Sequence, residues 1–349
     1  MVLQWYYRRV TVDEGAGTAS VPVSIDVPSS VDTVVEITTA TGTAGASDYT
    51  TTTTTVTIPA GSTSVNVSIP VTDDGIDEPN ETFTVNGNVT SGNTSNTDPS
   101  GTVTITDNDG TPVVTIGDVT VDEGAGTASV PVSIDVPSSV DTVVEITTAT
   151  GTAGTSDYTT TTTTVTIPAG STSVNVSIPV TDDTTDEPNE TFTVNGNVTS
   201  GNTSNTDPSG TVTITDNDGT PVVTIGDVTV DEGAGTASVP VSIDVPSSVD
   251  TVVEITTATG TAGTSDYTTT TTTVTIPAGS TSVNVSIPVT DDTTDEPNET
   301  FTVNGNVTSG NTSNTDPSGT VTITDNDGTP VVTIGDVTVD EGAGTASVP

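Results

Sequence analysis

The chain has 349 residues with 47 Asp and Glu against 2 Lys and Arg, a formal net charge of -45. That balance excludes a nucleic-acid partner, which needs a cationic face, and disfavours an anionic membrane surface. With no Cys and no His there is no disulfide framework, no thiolate or imidazole metal site and no Ser-His-Asp or Cys-His catalytic group.

No apolar run approaches the roughly 18 residues of a membrane span, so no membrane insertion is expected of this segment. Residues 1–10 lack the apolar core of a signal peptide. The run VDEGAGTASVP begins at Val12, Val121, Val230 and Val339, a step of 109 residues. That period is too long for a solenoid and fits a domain with its own core. The expected organisation is repeat 1 at 1–110, repeat 2 at 111–219, repeat 3 at 220–328 and a partial fourth at 329–349. Residues 111–219 and 220–328 are identical. Repeat 1 departs at Ala46, Gly75 and Ile76, where repeat 2 has Thr155, Thr184 and Thr185. At its start, residues 1–9, with Trp5, Tyr6, Tyr7, Arg8 and Arg9, stand where repeat 2 has 110–118.

Within a repeat the apolar period is 2, the period of strands. In repeat 2 the first strand is expected at 119–121, with 113–116 just before it. Next come 129–136 through Val130, Val132, Ile134 and Val136, then 142–149 with Val143, Val144 and Ile146. The Thr run 159–164 leads into Val165 and Ile167. Residues 171–180 alternate through Val174, Val176, Ile178 and Val180, and 191–194 and 211–215 complete the set. Gly-, Pro- and Asp-rich turns separate these runs. Seven strands in 109 residues predict an all-β chain of tandem seven-strand immunoglobulin-like antiparallel sandwiches. Pro131 and Pro179 are expected near edges or bulges. Tyr158 and Phe192 are the aromatics of the unit, so the core is mostly Val and Ile.

Each regular repeat has 15 acidic and no basic residues. With strands alternating up and down, Glu123, Asp157, Asp182, Asp183, Asp186, Glu187, Glu190, Asp216 and Asp218 collect at one end, with Asp122 beside them. Carboxylates so crowded repel unless some are protonated or a hard cation binds. Calcium, with 6 to 8 oxygen ligands in irregular geometry, suits an all-oxygen loop cluster; magnesium suits it less, and zinc lacks its His or Cys. A glycosidase carboxylate pair has no cleft-lining aromatics to accompany it.

The ordered motifs DEGAGT, SDY, VTIPAG, VTDDxxDEPNETF and GTVTITDND resemble the Calx-beta domain of sodium–calcium exchangers and large bacterial surface proteins. The resemblance covers essentially the whole of the three repeats. It implies a seven-strand sandwich with a calcium cluster at one end and 2 to 4 Ca²⁺ per repeat. The ligands it implies in repeat 1 are Glu14, Asp48, Asp73, Asp74, Glu78, Glu81, Asp107, Asp109 and the carbonyl of Ile76. In repeat 2 they are Glu123, Asp157, Asp182, Asp183, Glu187, Glu190, Asp216, Asp218 and Thr185. In repeat 3 they are Glu232, Asp266, Asp291, Asp292, Glu296, Glu299, Asp325, Asp327 and Thr294. This chain departs from the family pattern at Asn108, Asn217 and Asn326, which carry an amide oxygen but no charge.

The acidic end is also the exit of each repeat, with only 219–221 before the next strand, so calcium there would stiffen the junction. The expected function is a calcium-rigidified extracellular stalk or filament segment of a surface adhesin or fibre, without catalysis. Extracellular calcium is millimolar, which suits constitutive sites. The competing reading is a calcium-sensing regulatory module, which would need an effector domain. Expected partners are neighbouring copies of the repeat. Residues 329–349 supply a first strand and part of a second. One reading takes them as part of a longer array; the other is head-to-tail self-assembly, with 331–339 completing a neighbour's first sandwich.

Overall fold

A computed structural model describes residues 9–95 and 98–348. In repeat 1 the strands are β1 (Val10–Asp13), β2 (Thr18–Ser24), β3 (Thr33–Thr41), β4 (Thr53–Ile58), β5 (Ser64–Pro70), β6 (Glu81–Ser91) and β7 (Ser100–Thr106). Repeat 2 adds β8 (Val114–Ile116), β9 (Val119–Asp122), β10 (Thr127–Ile134), β11 (Thr142–Thr150), β12 (Thr162–Ile167), β13 (Ser173–Pro179), β14 (Glu190–Ser200) and β15 (Ser209–Thr215). Repeat 3 follows with β16 (Val223–Ile225), β17 (Val228–Asp231), β18 (Thr236–Ile243), β19 (Thr251–Thr259), β20 (Thr271–Ile276), β21 (Ser282–Pro288), β22 (Glu299–Ser309) and β23 (Ser318–Thr324).

Each repeat is a sandwich of two sheets. In repeat 2 one sheet runs β13-β10-β8 and the other β12-β11-β14-β15-β9. Alternation does the folding. In β10 the inward residues Ala128, Val130, Val132 and Ile134 are buried and face the inward row of the second sheet, Val144, Ile146, Phe192, Val194, Val212 and Ile214. β-branched side chains suit this pleated surface and supply nearly all of the core. Contacts divide the chain into two compact units. One is Met1–Val121, Gly126–Thr181 and Glu190–Thr213; the other is Asp122–Ala125, Asp182–Asn189 and Ile214–Pro349.

The expected first strand is in fact two, which makes eight strands in repeats 2 and 3. β8 pairs antiparallel with β10, whereas β9 joins the opposite sheet. The break has a steric cause. Pro131 has no N–H to extend the β8–β10 ladder past Ile116, and its carbonyl accepts the Gly117 N–H at 2.9 Å. A Cβ at Gly117 would lie 2.8 Å from the Pro131 ring. Pro131 thus sits in a middle strand, just where its neighbour leaves. Pro179 ends β13, an edge strand, as expected.

In repeat 1 β2 pairs with β5 alone. The expectation that the aromatic segment takes the first-strand position falls on Trp5, Tyr6, Tyr7 and Arg8, outside the described residues. Arg9 is described, and its Nε donates to Thr104 Oγ1 at 2.9 Å. Residues 329–348 form no strand, contrary to the expectation of a first strand there. They lack the sheet edge that β8 and β16 find on β10 and β18.

Candidate metal centre

Asp13 ends β1 and caps the single turn Glu14–Ala16, its Oδ1 accepting the Gly15 N–H at 3.0 Å. Gly17 closes that turn at φ 71°, a left-handed conformation that glycine adopts without penalty. A Cβ at Gly15 would lie 2.5 Å from Asn108 Nδ2. The DEGAG run therefore buries Glu14. β7 runs parallel to β1 and delivers the residues after its end to the same place. Carboxylate oxygens of Glu14, Asp107 and Asp109 lie within 4.8 Å of one another, and the same holds for Glu123, Asp216 and Asp218 and for Glu232, Asp325 and Asp327.

A second group in repeat 1 joins Asp48, Glu78 and Glu81 within the same 4.8 Å. Tyr49 and Phe83 are buried and stack with ring centroids 4.1 Å apart, which holds the neighbouring Asp48 and Glu81 over one rigid floor. In repeat 2 Asp157 is hydrogen-bonded by Glu190, and the Glu187 N–H donates to Asp216 Oδ1 at 3.2 Å. In repeat 3 Glu299 is bonded to Asp266, and the Glu296 N–H donates to Asp325 Oδ1 at 3.2 Å.

Among the described residues the one cationic side chain is Arg9, which is engaged with Thr104. The carboxylates therefore meet only one another. Burial pushes the Glu14 carboxyl up to about 7; the Asn108 N–H bond opposes this, and Asp107, Asp109 and Asp74 add repulsion. Glu123 is pushed to about 7 by burial in the same way. Glu81 reaches about 7 through burial and the hydrogen bond it shares with Asp48. Burial works to raise Asp48 too, but hydrogen bonds from Ser47, the Gly45 N–H and Glu81 outweigh it and hold the group below its ordinary value. Asp48 and Glu81 thus share a proton across a carboxyl–carboxylate pair.

The sequence model of the Calx-beta domain matches residues 2–109, 107–218 and 216–327. The chain belongs to the Calx-beta family. Compared with curated proteins it has no significant match. Among solved structures it is similar to the calcium binding domain pair CBD12 from CALX1.2, at 20% identity over 55% of this chain and 79% of that one, with TM-score 0.28. The apo-form Calx CBD1 domain is 26% identical over 31% of this chain and all of its own, with TM-score 0.28. A tetra-tandem repeat from the extending region of a large adhesion protein is 17% identical over 88% of this chain and 70% of its own, with TM-score 0.38.

The donor set of these Calx-beta repeats fits a hard divalent cation. The buried oxygens Asp107 Oδ1, Asp109 Oδ2, Asp218 Oδ2 and Asp327 Oδ2 accept no hydrogen bond, which is costly for a carboxylate without a cation. The other sequence-derived candidates lie at the rim. Asp73, Asp182 and Asp291 accept from the amide Nδ2 of Asn108, Asn217 and Asn326 at 3.1–3.2 Å. Asp74, Asp183 and Asp292 accept from the N–H of Ile76, Thr185 and Thr294 at 2.9, 2.7 and 2.7 Å, so each tightens its own loop. Asn108 was expected as a neutral oxygen ligand. The structure uses it as a donor, its Nδ2 also bonding Asp13 Oδ1 at 3.1 Å. Between two carboxylates the NH₂ face is the favourable one.

One functional residue escaped the sequence reading. Asp77 is 3% exposed and lies in the loop between Asp74 and Glu81, yet it belongs to neither carboxylate group. It reaches into repeat 2. Asn202 Nδ2 donates to both its oxygens at 3.0 and 2.8 Å, and Ser138 Oγ donates at 3.3 Å. The backbone completes the clamp, with the Asp77 N–H on the Pro137 carbonyl at 2.9 Å and the Ser139 N–H on the Asp77 carbonyl at 3.0 Å. Asp186, 2% exposed, repeats the arrangement with Ser247, Asn311 and Pro246. The partners lie 61 and 125 residues away, so no local pattern signals them; conspicuous only afterwards is an Asp between ligand-type residues facing PSS and SGN loops one repeat on.

Proposed function

We propose that the chain is a calcium-stiffened segment of an extracellular stalk or fibre, with no catalytic role. The observation that carries this reading is the double duty of one loop. Asp74, Glu78 and Glu81 belong to or border the carboxylate groups of repeat 1, while Asp77 between them is clamped in repeat 2. Calcium held by Glu14, Asp48, Asp74, Glu78, Glu81, Asp107 and Asp109 would supply the positive charge those carboxylates lack. It would lock the loop that presents Asp77. Asp182, Asp183, Glu187 and Glu190 flank Asp186 in the same way, and we extend the proposal to that junction.

Near-identical repeats suit a spacer, since a recognition site needs only one copy, and millimolar extracellular calcium suits sites that are permanently filled. Electron microscopy of the purified chain in calcium and in EDTA tests the reading. Straight particles that become bent in EDTA are expected; particles of the same shape, with the same melting temperature after chelation, would sink it.

A further inference from the structure

We propose that repeat 1 is an acceptor for a strand from a second copy of the chain, and that residues 331–335 are the donor. The inference does not depend on calcium. Repeat 1 carries a groove of about 730 Å³ lined by Val23, Ile25, Val35, Val89 and Gly101, among others. In repeats 2 and 3 the corresponding groove is filled by β8 and β16. A Cβ at Gly210 would lie 2.7 Å from the Ile116 carbonyl and one at Gly319 2.6 Å from that of Ile225, whereas a Cβ at Gly101 would meet nothing within 4 Å. The outer edge of β2 is likewise without a strand partner, an arrangement that invites another strand.

The chain contains the strand that fits. Residues 331–335 read VVTIG, the sequence of 113–117 and 222–226, which supply β8 and β16. In repeat 2 Val114 and Ile116 are 1% and 5% exposed, while their counterparts Val332 and Ile334 are 90% and 80% exposed and belong to no strand. The β8–β10 register pairs Ile116 with Val132, Thr115 with Ser133 and Val114 with Ile134. Transferred to two copies, it pairs Ile334 with Val23, Thr333 with Ser24 and Val332 with Ile25. Gly335 then takes the place against Pro22 where a Cβ is excluded, the place at which the sequence of repeat 1 itself has Arg8. The donor stops there, because β1 already occupies the second half of the split strand beside β7.

A second contact continues the same interface. Asp295, the counterpart of Asp77 and Asp186, is exposed, and so is Asn93, the counterpart of Asn202. Repeat 3 of one copy can therefore clamp repeat 1 of the next as the repeats clamp within the chain. The donor and acceptor surfaces differ, so the contact is heterologous and propagates into a line of copies.

Sedimentation of the full chain over rising concentration is expected to show a ladder of oligomers, in calcium and in chelator alike. Ile334→Asp removes the donor and Gly101→Val blocks the acceptor; each is expected to leave only monomer. Gly101→Val should melt like the parent, because its added side chain points into open space. Mixing the two variants should restore heterodimers and nothing larger. A parent chain that stays monomeric, or a Gly101→Val variant that assembles like the parent, overturns the proposal. So does a 329–336 peptide that binds only after residues 1–8 are deleted, which would assign the groove to the chain's own N-terminal segment.

Discussion

Asp77 and Asp107 are both carboxylates withdrawn from solvent near the same end of repeat 1, and the fold treats them in opposite ways. Every oxygen of Asp77 meets a donor from repeat 2, an amide and a hydroxyl delivered by fixed loops. Asp107 faces Glu14 and Asp109, its Oδ1 accepts no hydrogen bond, and burial raises its pKa. A buried charge satisfied by the protein acts as mortar. A buried charge left facing others of its sign is a vacancy for a cation. Two carboxylates alike in sequence thus do different work, and the difference can be tested.

The largest effect should come from the unsatisfied groups. Calcium at a hundredfold excess over its dissociation constant is expected to stabilise the chain by about 2.7 kcal/mol for each site filled. Thermal unfolding with and without EDTA measures this. Glu123→Gln with Asp218→Asn should remove most of the calcium-dependent gain in repeat 2 while raising the calcium-free melting temperature, because both relieve repulsion.

The next effect separates the two classes by pH. Glu14, Glu81 and Glu123 have folded pKa values of about 7 against an ordinary 4.5. The folded chain holds these protons more tightly than the unfolded chain. Their contribution to calcium-free stability is therefore complete below pH 4.5 and is lost as pH rises through about 7. Asp48 is shifted downward, and its contribution is lost only on acidification below its ordinary 3.8. Calcium must displace the raised protons, so its stabilising increment should be large at pH 8 and small at pH 5. Calorimetry across that range checks both slopes; an increment that does not change with pH would separate binding from these three groups.

A smaller effect belongs to the clamp. Asp77→Ala leaves Asn202 and Ser138 without their acceptor, which costs about 1–3 kcal/mol of junction stability. Calcium affinity should change little, as read by titration calorimetry beside limited proteolysis of the junction. Asp295→Ala in dilute solution should be nearly silent, within about 0.5 kcal/mol, because that residue is exposed. Equal losses at Asp77 and Asp295 would show that the clamp does not act.

Strand character, the sandwich class and the gathering of carboxylates at one end were legible in the chain. Alternation at a period of 2 is a local property, and strand direction follows from counting turns. The splitting of the first strand was not legible, because it needs Gly117 and Pro131 to meet across a sheet. Nor was the role of Asn108, whose orientation depends on the two carboxylates brought beside it. Asp77 looked like one more acid in an acidic loop.

By itself the sequence determined the repeat, the core-facing rows and the charge that has to be neutralised, since each is written in neighbouring residues. Only the tertiary structure decided which carboxylates are satisfied and which are not. Satisfaction depends on donors such as Asn202, 125 residues from Asp77, and the distance between two groups in the folded chain is fixed by packing, not by their order along it.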